Sequence, residues 1–165
     1  MINQRPCSGT AELEIDLPHE ARVSLRQYCG QVIALAFIVR RDCGCDALVR
    51  YLLQLHEEYG TSGFHPIACL VDLLPGETVP ILELGFTIGG CPRKRAADIV
   101  KAPMSAFAIP QIAFIDRAGC IHSVVRGGDE FCSDFKANAR VLIQRLLRLE
   151  PARVDVIEGL RGGGI

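Results

Sequence analysis

The sequence carries almost no net charge: 18 basic and 19 acidic residues leave it at -1. A nucleic acid or an anionic membrane as partner calls for a basic excess, so neither is expected. Long hydrophobic runs are missing too. Nothing reaches the roughly 18 apolar residues of a membrane helix. The longest apolar stretch, Val32 to Val39, suits a buried strand instead. The opening MINQRPCSGT lacks the basic-then-apolar order of a signal peptide. The chain as given therefore reads as soluble and cytoplasmic, with export the alternative if a leader has been removed. Internal repeats and low-complexity blocks are absent as well.

What is present is the composition of one globular domain: 165 residues, 49% hydrophobic and 22% charged. The division expected is a single domain over residues 1–150, with a core of about 28–150, an extension at 1–27 and a tail at 151–165. Eight cysteines are many for a cytosolic protein. Paired spacings of the zinc-ribbon type are lacking, and a chain this long needs no disulfide framework. Most of the cysteines are expected to be small buried side chains, Cys69 in IACLV above all.

Periodicity sets out the elements. Gln31 to Val39, QVIALAFIV, reads as a strand buried on both faces. From Cys45 to Tyr59 the period becomes helical, with Leu48, Tyr51, Leu52, Leu55 and Tyr59 on one stripe. Asp42 is the natural N-cap of that helix and Gly60 its natural stop. Phe64 to Val71 is a second buried strand, giving a βαβ unit. Glu12 to Leu17 is expected as an edge strand or strap, Val79 to Leu84 as a short helix, and Phe86 to Ile88 as a short strand. Gly89-Gly90-Cys91-Pro92 reads as a break, followed by a helix over Lys94 to Lys101. Gln111 to Ile115 and Cys120 to Val125 form a hairpin about Asp116-Arg117-Ala118-Gly119. Asp129 to Leu149 is a terminal helix with Phe135, Ala139, Leu142, Leu146 and Leu149 on one face.

That order, a mixed sheet with helices on both faces, carries a resemblance. AFIVRRDCGCDALVRYLLQLHEEYG, AIPQIAFIDRAGCI and FKANARVLIQRLLRLE resemble the thioredoxin superfamily, in its redoxin branch of peroxiredoxins and thiol–disulfide reductases. The likeness covers about residues 28–150. It implies an α/β thioredoxin-like fold, an active-site turn at a helix N-terminus, and a cis proline at Ile109-Pro110 facing the cysteines. Thiols and disulfides of proteins or small molecules are the implied partners. No cofactor is called for, and oligomeric state is not legible.

The family's Cys-x-x-Cys is here Asp42-Cys43-Gly44-Cys45. Counted back along the helix, Cys45 falls at the second, buried cysteine and Asp42 at the place of the nucleophile. In the other register Cys43 is the nucleophile and Asp46 replaces the second cysteine. The first is preferred, because a one-residue shift turns the apolar stripe by about 100°.

The expected site is catalytic Cys43, Cys45, Asp42 and Pro110, with Arg41, Gly44 and Ile109 as binding residues. A helix N-terminus and cations lower a thiol pKa, and Arg40 and Arg41 precede Cys43, while Asp42 opposes them. Gly44 gives a Cys-Gly-Cys ring the freedom it needs, though strain makes such a bond easy to reduce. Cys91, in GGCPRKRA, is a candidate resolving thiol if its loop folds over the site.

Two rivals stand beside thiol exchange. A peroxidase of the peroxiredoxin type wants a Thr where Arg40 stands. A non-catalytic module would hold an extended peptide beside the proline. No metal is expected, although Cys43 with Cys45, or Cys120 with His122, would be the soft-ion pairs to test.

Overall fold

The computed structural model describes residues 13–18, 21–40, 42–77, 85–126 and 133–148. The helix expected at Val79–Leu84, the residues Arg41, Cys7, Cys132 and Leu149, and the tail lie outside them. Seven strands form one sheet: β1 (Glu14–Asp16), β2 (Arg22–Ser24), β3 (Val32–Ile38), β4 (Phe64–Leu70), β5 (Thr87–Gly90), β6 (Gln111–Ile115) and β7 (Ile121–Arg126). Among the described residues three α-helices pack on it: α1 (Cys43–Tyr59), α2 (Arg93–Ile99) and α3 (Ser133–Arg148).

The sheet order is β2-β1-β5-β4-β3-β6-β7. β3, β4 and β5 run parallel, and β6 and β7 return antiparallel. Every residue of β3 is buried, as a strand covered on both sides requires. Val32, Ala34, Ala36 and Ile38 face one apolar layer, and Ile33, Leu35 and Phe37 the other. The first layer takes Leu48, Tyr51, Leu52 and Leu55 of α1 with Phe135, Ala139, Ile143 and Leu146 of α3. The second takes α2 through Ala96, Ala97 and Ile99, together with Ile15 and Val23. Cutting Leu52 or Leu55, both wholly buried, back to Ala should cost roughly 2–5 kcal/mol each.

Several expectations are corrected by these contacts. α1 begins at Cys43, two residues early, because Asp42 caps it. It ends at Tyr59 with Gly60 as its C-cap, as expected, but Gly60 is right-handed; a 3-10 turn follows, and Gly63 at φ +96° makes the reversal into β4. Gly89 and Gly90 are the end of a strand rather than a break. β1 crosses there so closely that a Cβ on Gly89 would run into Ile15 Cγ2 and the Asp16 carbonyl. β1 is not an edge strand, for β2 pairs outside it. The N-terminal extension thus contributes two strands to the sheet. On α3, Ile143 is fully buried and Leu142 only partly.

Candidate functional site

β3 delivers the chain to its carboxyl edge at Ile38, and α1 starts five residues later. Asp42 is extended, and its Oδ1 accepts a hydrogen bond from Cys45 N at 2.9 Å. Its carbonyl accepts from Asp46 N at 3.0 Å. This is the ordinary work of an N-cap. Cys43, the first helical residue, is exposed, whereas Cys45 is buried. Cys45 Sγ accepts from Val39 N at 3.5 Å and packs in the layer of Leu48 and Leu52. Asp46 is exposed, so the buried position of the turn belongs to Cys45.

Across the turn lies the loop before β6. The Ile109–Pro110 peptide is cis. A Cβ on Gly44 would lie 3.9 Å from Pro110 Cγ, so the glycine faces the proline ring. Phe107 meets Phe37 edge-on at 5.8 Å. Gln111 Nε2 donates to Ala108 O at 2.9 Å, bracing the loop from inside. Gln111 is fully buried, and its Oε1 has no hydrogen-bond partner among the described residues. Sequence reading passed over Gln111, since a glutamine opening an apolar strand looks like a boundary residue.

Electrostatics separate the groups. The Cys45 thiol is pushed up to about 11, first by burial and then by the Asp42 carboxylate that caps the same turn. Asp42 is lowered, chiefly by the Cys45 amide and then by the Cys45 thiol. The cationic neighbourhood expected of Arg40 is spent elsewhere. Arg40 Nη2 donates to Glu77 Oε2 at 2.7 Å, and its Nε lies 3.6 Å from Asp72 Oδ2. Arg41 lies outside the described residues.

The remaining cysteines are redistributed relative to expectation. Cys91 is not in a solvent-exposed loop. Its amide donates to Leu70 O, its side chain is buried, and its sulfur touches Cys69 Sγ at 2.9 Å. That contact gives Cys91 a partner other than Cys43. Cys29 is exposed, unlike the buried side chain expected of most of the cysteines. Cys120 is disulfide-bonded, so it offers no thiolate for a metal beside His122.

No protein-family model matches the chain, and no curated protein does. Solved structures do. One from Chlorobium tepidum, named for thiol:disulfide interchange protein DsbE, superposes with a TM-score of 0.65 at 20% identity, over 84% of this chain and 96% of that one. The exposed lipoprotein thioredoxin Etrx1 of Streptococcus pneumoniae matches at 0.62 and 17%, over 82% and 100%. A DsbF homologue from Corynebacterium diphtheriae matches at 0.61 and 18%, over 83% and 85%. The chain has the thioredoxin-like fold. In this thioredoxin-like chain Asp42 caps the helix, exposed Cys43 is its first residue, and buried Cys45 lies two further on.

Proposed function

We propose that the protein exchanges thiols and disulfides of protein or small-molecule substrates, with Cys43 as the attacking sulfur. The observation that carries this is the exposed Cys43 at the first residue of α1, one residue from buried Cys45, in a turn packed on Pro110. Cys43 attacks a substrate disulfide, a mixed disulfide forms, and one substrate thiol leaves. Cys45 then attacks Cys43, releasing the second thiol and leaving a Cys43–Cys45 bond. Because Cys45 is held protonated, its proton has to go to a base, and the Asp42 carboxylate, which caps the same turn, is the candidate.

Helical geometry sets the character of that bond. Residues two apart on a helix point roughly 200° apart. Closing Cys43 onto Cys45 therefore unwinds the first turn and strips the cap from Cys45 N. Gly44 makes the unwinding feasible. An oxidised form stabilised so little is a good disulfide donor or isomerase rather than a strong reductant.

Replacement of Cys43 by Ser tests the proposal directly. Exchange with an aromatic disulfide or with scrambled protein should vanish, while Cys45→Ser should accumulate a mixed disulfide on Cys43. Undiminished exchange in Cys43→Ser would place the chemistry elsewhere.

The same burial of Cys45 favours a second reading, a non-catalytic module in which Cys45 is core and the groove beside Pro110 holds an extended peptide. Peptide binding without turnover in wild type would select it. A peroxidase has less support, since Arg40 is bound up with Glu77 and Asp72. As to compartment, among the described residues no helix is long and apolar enough to cross a membrane. The exposed lipoprotein thioredoxin among the similar structures supports export over the cytoplasm.

A further inference from the structure

A second pair of thiols lies on the opposite face of the sheet from Cys45. Cys69 stands in β4 beside Gly89 of β5. Cys91, two residues beyond Gly89, returns to the same face, because side chains alternate along a strand. Its amide is still tied to β4 through Leu70 O at 3.0 Å. The two sulfurs are 2.9 Å apart, and both are free thiols. A disulfide holds them at about 2.05 Å, so less than an ångström of closure separates the pair from a bond.

The two thiols are not equivalent. Cys69 has no exposed surface and lies in the second apolar layer, the one that holds Ile67, Val71 and Ala96. The contact with Cys91, and then burial, push the Cys69 thiol up and keep it protonated. Cys91 lines an open pocket of about 460 Å³, with Asp16, Arg22, Leu73, Glu77 and Pro92 around it. A small molecule therefore meets Cys91 first.

We propose that Cys69 and Cys91 are a second dithiol site, which closes to a disulfide on reaction with a low-molecular-weight disulfide entering through this pocket. Cys91, as thiolate, attacks one sulfur of the reagent R–S–S–R. A mixed disulfide forms on Cys91, and R–S⁻ leaves and takes up a proton. Cys69 gives up its proton, attacks Cys91 Sγ and expels the second R–S⁻, which is protonated in turn. Two protein thiols are oxidised and one reagent disulfide is reduced to two thiols. The product ties β4 to the segment that leads into α2. The site shares no residue with the Cys43 turn, so it stands or falls on its own.

The test uses the full chain carrying Cys43→Ser and Cys45→Ser, with 2-hydroxyethyl disulfide as probe. After reaction of the folded protein, free thiols are alkylated under denaturation and the digest is mapped by mass spectrometry. The expected result is a linked pair of peptides holding Cys69 and Cys91, two hydrogens lighter than the separate thiols and released by reductant. Adding Cys69→Ala should leave a hydroxyethyl adduct trapped on Cys91. Recovery of both cysteines alkylated after oxidation would overturn the proposal, and so would an adduct on Cys91 that never resolves in the parent chain. A Cys69–Cys91 link that appears only once the protein is unfolded would overturn it equally. The parent chain leaves both cysteines in place, so a variant that misfolds cannot decide the matter.

Discussion

Asp42 Oδ1 accepts the Cys45 amide at 2.9 Å, and the same carboxylate pushes the Cys45 thiol up. One side chain therefore starts α1 and holds a negative charge against the buried sulfur. Asn caps a helix about as well as Asp but carries no charge. Asp42→Asn should keep α1 and bring the Cys45 thiol down from about 11. The pH dependence of Cys45 alkylation in a Cys43→Ser background measures this. Asp42→Ala should also lower the thermal midpoint, since it removes the cap.

Stability should fall in alkali on account of Cys45. Its folded value of about 11 lies above the 9.0 of an unperturbed thiol. The unfolded chain therefore loses that proton first as pH rises. The contribution of Cys45 is complete below about pH 9 and is lost between about 9 and 11. In urea unfolding, the gap between wild type and Cys45→Ala should narrow across that window. Cys69 and Tyr51 are also raised, but they are present in both proteins and cancel in the difference.

Gly44→Ala should slow the closing of Cys43 onto Cys45. A Cβ there would lie 3.1 Å from Asp42 Oδ1, crowding the cap. The backbone freedom lost is about 0.5–1 kcal/mol, or roughly two- to fivefold in rate. Rapid-quench trapping should show the mixed disulfide on Cys43 persisting longer than in wild type. An unchanged lifetime would mean that the first turn of α1 does not open during resolution.

Gly89→Ala should destabilise the fold by about 1–3 kcal/mol, as overpacking at a closed site does. The added carbon has Ile15 on one side and the Asp16 carbonyl 2.8 Å away on the other. Chemical denaturation of the variant reads this out. A cost near zero would show that β1 can leave β5 at little expense.

α1 was legible because its apolar residues keep one helical period over the whole element. β3, β4 and β6 were legible as short apolar runs bounded by turn signals, Val32 to Ile38 and Gln111 to Ile115 being buried throughout. β1 was read only as an edge strand or strap, and its partner β2 was missed, because three residues each are too few to set a period; what places β1 inside the sheet is its pairing with β2 on one side and β5 on the other. GGCPRKRA was misread for a related reason. Two glycines and three cations look like a solvated turn, yet the glycines answer to the close passage of β1. In the site, the capping role of Asp42 and the burial of Cys45 follow from the helical stripe. The loss of Arg40 to Glu77 does not, because 37 residues separate the partners.

The sheet also acts as an insulator. Cys45 belongs to the apolar layer under α1 and Cys69 to the layer under α2, with β3 and β4 between them. Disulfide exchange needs sulfur to meet sulfur along a line of attack, and a sheet covered on both sides offers no such line. Oxidation of one pair therefore cannot be handed straight to the other through the interior. A single chain can hold two sulfur couples at separate potentials, and only a diffusible thiol or disulfide can bring them to equilibrium.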